Sequence, residues 1–139
     1  MSTAPGKLVT CLVLAWLLAR YTNAAAMECV SPAIAMARVE LLFGAALSDG
    51  GQVSDQQWHE FVAEQVTPRF PEGLTEFSGH GQWRQADGRI TREVSRLLLI
   101  WYTPTAAHQA DIETIRAAYK RRFKQLSVMR IDGSDCVSF

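Results

Sequence analysis

The stretch Leu97-Leu98-Leu99-Ile100-Trp101 is apolar at every position. A strand that is apolar on both faces lies inside a sheet, with neighbours on either side. Whatever this chain folds into must therefore supply strands to flank it. Residues 74–84 and 90–102 read as two strands around Asp87-Gly88, a strong hairpin signal. From Arg38 onward, Val39, Leu41 and Phe43 alternate with Arg38 and Glu40, the pattern of a half-buried strand. Ser48-Asp49-Gly50-Gly51 breaks it, and Val128–Ile131 reads as a last short strand.

Two helices separate these strands. Ser54 is placed to cap the first, Gln57 to close a capping box, and Val53 to staple against Trp58. Trp58, Phe61, Val62 and Val66 share one helical stripe, and Pro68 ends it. Pro71-Glu72-Gly73 is a turn. Pro104 and Thr105 open the second helix, whose buried stripe is Ile112, Ile115, Tyr119 and Phe123. The order is β-α-β-β-α-β. It predicts an α+β, ferredoxin-like fold: a four-stranded antiparallel sheet in spatial order 4-1-3-2, with both helices on one face.

Upstream of the domain the chain reads as a targeting segment. Lys7 precedes the apolar run Leu8–Leu18, and Ala24-Ala25-Ala26 offers a cleavage site, so residues 1–26 are expected to be a signal peptide. The run is too short for a bilayer crossing, which takes about 20 residues. Arg20 follows it closely, which makes a membrane anchor with an uncleaved signal the alternative. Residues 27–37 read as a leader and 38–139 as a single domain. The expected location is periplasmic or secreted, with no membrane span in the mature chain.

Removing Lys7 and Arg20 leaves 12 basic residues against 14 acidic ones. That balance excludes a nucleic-acid partner, which needs a basic excess. Cys11 leaves with the signal, and Cys29 and Cys136 remain. An even pair in an oxidising compartment reads as a disulfide, although two unrelated thiols fit the same spacing. In a 4-1-3-2 sheet the end of the last strand lies beside the start of the first, which would bring the two together.

The segments "VSDQQWHEFVAEQVTPRFPEGLT", "GQWR", "GRITREVS", "AAYKRRFKQLSVMRID" and "CVSF" occur here in order. In them, from about Val39 to Phe139, the chain resembles a family of small exported bacterial proteins catalogued as domain of unknown function 3574. The resemblance implies a bacterial envelope protein and supports the positions of Cys29 and Cys136. It carries no activity, cofactor or catalytic residue over to this chain.

Candidate chemistry is sparse. Gly79-His80-Gly81 lacks a third glycine and precedes a strand, so it is no phosphate loop. His59-Glu60 starts like a zinc-protease helix, but Ala63 stands where the second histidine belongs. No metal site and no cofactor is expected. Lys120, Arg121, Arg122 and Lys124 sit in the last turns of the second helix, where positive charge complements the helix dipole.

The hairpin is the better place to look. A two- or four-residue turn would put Glu76, Ser78, His80, Gln82 and Arg84 on one face with Thr91, Glu93 and Ser95. His80 and Glu93 could then share a proton, and they are the candidate catalytic pair; the bland alternative is a wet sheet surface. The same parity sets Arg92 and Arg96 beside Trp83, with Gly79 and Gly81 clearing space. Trp83, Arg84, Arg92 and Arg96 are thus the candidate ligand-binding residues, either a packed Arg–Trp cluster or a grip on an anion. Two functions follow. One is a non-catalytic periplasmic binding or interaction module for an anionic small molecule or an envelope protein. The other is a small enzyme built like dimeric ferredoxin-like barrels, with a pocket over the open sheet face, which makes a homodimer an expected state.

Overall fold

Phe43 packs ring to ring against Trp58, Phe61 and Tyr119, with centroids 5.1, 6.1 and 4.7 Å away. Those partners come from both helices, so both helices lie on the face of the sheet that Phe43 occupies. The computed structural model describes residues 28–139. The expected signal peptide lies outside the described residues.

The elements are β1 (Ile34–Gly44), α1 (Asp55–Phe61), a π-helical turn continuing it (Val62–Val66), β2 (Thr75–Arg84), β3 (Ile90–Tyr102), α2 (Ala106–Phe123) and β4 (Met129–Val137). Every pairing is antiparallel, and the sheet runs β2-β3-β1-β4. β3 lies inside it, as its apolar sequence demands. Val39, Leu41, Phe43, Leu98 and Ile100 point to the helices and are buried, as are Ile112, Ile115, Tyr119 and Phe123 opposite them. Among the described residues no helix is long and apolar enough to cross a membrane.

The caps are as read. Gln57 N–H donates to Ser54 Oγ at 3.2 Å, and Ser54 N–H donates to Gln57 Oε1 at 2.9 Å. Thr105 Oγ1 accepts from His108 N–H at 3.1 Å. The π turn is not visible in the apolar spacing. In it Thr67 N–H reaches back to Val62 C=O at 2.9 Å, and Val62 and Val66 both stay buried.

Two boundaries move. β1 begins at Ile34 rather than Arg38, and residues 34–37 pair with β4 at 134–137. β4 accordingly runs to Val137 rather than Ile131. Its second half, Asp132 to Cys136, is too polar to announce a strand. The backbone ladder to β1 forms it instead. That ladder pairs Ala35 with Cys136, and Cys136 is disulfide-bonded to Cys29 with Cα atoms 5.5 Å apart.

Candidate functional site

The hairpin is governed by its loop. Gln85 N–H donates to Arg89 C=O at 2.8 Å, Gly88 N–H donates to Gln85 C=O at 2.9 Å, and Gly88 has φ 86°. This is a three-residue loop with a left-handed glycine. Such a conformation is open to glycine at little cost. The odd count sets the register at Arg84↔Ile90, Gln82↔Arg92, His80↔Val94 and Ser78↔Arg96.

That register overturns the parity expected from an even loop. Glu76, Ser78, His80, Gln82 and Arg84 share the helix-side face with Arg92, Val94, Arg96 and Leu98. Phe77, Gly79, Gly81 and Trp83 share the open face with Thr91, Glu93, Ser95 and Leu97. His80 and Glu93 therefore lie on opposite sides of the sheet and cannot share a proton. Trp83 is likewise separated from Arg92 and Arg96 and stacks on neither.

On the helix side, Arg96 has a structural partner set. Its guanidinium donates to Ser78 Oγ and to the Asp55 carboxylate in the first turn of α1. Trp58 Nε1 donates to Glu76 one row further on, so α1 is tied to β3 at Arg96 and to edge strand β2 at Glu76. Beyond them the hairpin projects, and Arg84 and Arg92 are exposed on it. Gln82 faces Arg92 directly, so Arg84 lies on the diagonal, about 7–8 Å away. Neither arginine has a carboxylate partner among the described residues, and exposed His80 stands on the same face.

The open face is organised differently. The register lines up Phe77, Leu97, Leu42 and Met129 in one row across all four strands. The next row holds Thr75, Leu99, Glu40 and Ile131. On the other side come Gly79, Ser95 and Gly44, and over Gly44 Glu93 folds its carboxylate to accept from Ala46 N–H at 3.1 Å. Farther along, Arg38 Nη1 donates to Asp135 at 3.0 Å, its Nε lies 3.1 Å from Glu40, and Trp101 Nε1 donates to Asp135 at 2.8 Å. The alternation at Arg38 and Glu40 places two of these groups on one side in the sequence. Asp135 is missed because it lies in the unannounced half of β4.

Several other polar groups have structural partners, while Lys120, Arg121 and Lys124 have none among the described residues. Arg122 bridges to Glu60 and Glu64 of α1 and its π turn at 3.2 and 2.8 Å, which stitches the two helices together. Arg116 and Arg130 hold the Glu113 carboxyl below its usual range, Arg116 first. His108 Nδ1 donates to Thr103 C=O at 2.7 Å and packs against Phe70 and Tyr102; His59 is exposed on α1. Two cavities of about 350 and 280 Å³ lie against the helices, the first lined by Phe61, Glu64, Ala118 and Arg122, the second by Leu47, Asp49, Gln57 and Arg122. Among the described residues no three His, Cys, Asp or Glu side chains converge on a metal-sized site.

The fold is similar to that of a phage SAM lyase solved in complex with S-methyl-5'-thioadenosine: TM-score 0.58, 13% identity, 81% of this chain and 97% of that one covered. The phage SAM lyase in its apo state gives a TM-score of 0.52 at 14% identity, covering 83% of this chain and 98% of that one. At such identity the likeness is one of fold. No curated protein matches the chain. Residues 38–139 do match a family profile, the one described as protein of unknown function (DUF3574). The chain belongs to that family.

Proposed function

We propose that this chain is an exported bacterial binding module, periplasmic or secreted after loss of residues 1–26, that holds an anionic group at its hairpin. The observation that carries this is the Arg84–Arg92 diagonal: two exposed guanidinium groups on one face, with no carboxylate partner among the described residues. Guanidinium forks suit carboxylate and phosphate oxygens and engage them through paired hydrogen bonds. The ligand is an anionic small molecule or the acidic group of an envelope protein. Arg96, committed to Asp55 and Ser78, positions the strand rather than the ligand. The sheet order, read from the other edge as 4-1-3-2, supports a ferredoxin-like arrangement for this module.

A second reading, a small enzyme working over the open sheet face, draws on the likeness to the SAM lyase. It also draws on Glu93, whose carboxylate stands above Gly44 beside the open space over Gly79. Calorimetric titration with pyrophosphate, citrate and S-methyl-5'-thioadenosine separates the two. The binding reading expects Arg84→Gln with Arg92→Gln to weaken anion binding at least tenfold with an unchanged melting temperature. Anion binding that survives both substitutions ends it. Binding of the thioether that Glu93→Gln removes would instead favour the enzyme.

A further inference from the structure

We infer that the open face of the sheet is a self-association surface, on which a second copy of this chain packs. The starting observation is the apolar row Phe77, Leu97, Leu42 and Met129, with Leu99 and Ile131 beside it. Phe77 is 51% exposed, Met129 58% and Ile131 40%. Soluble monomers rarely leave a contiguous apolar patch of this kind in water. Aromatic residues and methionine are also the side chains that interface cores favour.

The size of the face fits a dimer. Four staggered strands about 4.8 Å apart, each of at least nine residues at about 3.4 Å, give the whole sheet face, polar ends included, roughly 600 Å² per copy. Two copies would then bury about 1,200 Å² before side-chain relief is counted, which reaches the range of stable specific interfaces. Two sheets of the same twist pack aligned, at about 30° and about 10 Å apart, so no reshaping is required.

The polar groups of the face are already held within the chain. Arg38, Asp135, Glu40 and Trp101 are engaged with one another, and Glu93 is engaged with the Ala46 backbone. Covering groups already paired in this way costs less desolvation than covering free charges would. What the face leaves to be recognised is apolar, and its natural complement is another apolar face of the same extent. This chain itself supplies one. Two-fold self-pairing is also the commonest closed symmetry, because one patch serves both partners.

The test is the mass in solution of protein expressed from the full-length sequence, by sedimentation and native mass spectrometry. The wild type is expected at twice the chain mass at micromolar concentration. Leu97→Glu and Met129→Glu are expected at single-chain mass, a dissociation constant raised at least tenfold, with unaltered circular dichroism. Met129 is on an edge strand and largely exposed, so its variant decides the matter if Leu97→Glu fails to fold. A wild type that stays at single-chain mass, because the face is covered by another protein or by the chain's own N-terminal segment, overturns the inference. So does a dimer that neither substitution weakens.

Discussion

Glu93 lies across Gly44: a Cβ built on the glycine would meet the Glu93 carboxylate at 2.7 to 2.9 Å. The contact exists because Glu93 turns back to reach Ala46 N–H. Gly44→Ala is expected to push the carboxylate aside, break that bond and lower stability by about 1 kcal/mol. Glu93→Ala should cost a similar amount. The double variant should then cost little more than either alone, since both changes remove the same bond. Additive losses in denaturant melts would show that the two residues act independently.

The disulfide is expected to carry a large share of stability. Cys29 and Cys136 are 107 positions apart, and closing a loop of that length removes about 4 to 5 kcal/mol of chain entropy from the unfolded state. Reduction, or Cys29→Ser with Cys136→Ser, should lower the melting temperature clearly while leaving the secondary structure in place below it. Non-reducing peptide mapping checks the pairing itself. An unchanged melting temperature after complete reduction would contradict this.

Tyr119 gives an alkaline signature. Its hydroxyl donates to Gly44 C=O at 3.0 Å, and burial pushes its pKa up, with Glu93 adding to the shift. A group whose folded pKa lies above the unfolded value of about 10 contributes fully below pH 10 and loses that contribution above it. Tyr119→Phe should therefore cost about 1 kcal/mol between pH 6 and 9. The difference from wild type should shrink as pH rises past 10. A gap that stays constant to pH 11 would show that the phenol does not titrate in this way.

Element types and order were legible because each signal was redundant. α1 is announced by a cap, a capping box and an apolar stripe together, and β3 by a run that fits only an inner strand. The candidate site was not legible in the same way, for one reason. Which face of the hairpin His80, Glu93, Trp83 and Arg92 occupy depends on whether the loop holds an even or an odd number of residues. Asp87-Gly88 signals a turn in either case. The deciding interaction is backbone pairing between Gln85 and Arg89, supported by Asp87 Oδ1 accepting from Arg89 N–H at 3.0 Å, and the residue pattern announces neither. The end of β4 was hidden similarly, since Asp132, Ser134 and Asp135 alternate with no apolar face and are held by the ladder to β1.

A chain whose first and last described strands are clasped by one covalent link is, between Cys29 and Cys136, a ring. A single cut by a protease anywhere in that ring, at the exposed Ser48–Gly51 turn for instance, opens the loop without releasing a fragment. The severed ends stay on one molecule, held at an effective concentration that a free fragment would never reach. Damage of that kind would be invisible on a non-reducing gel and would leave the sheet able to close again around the break.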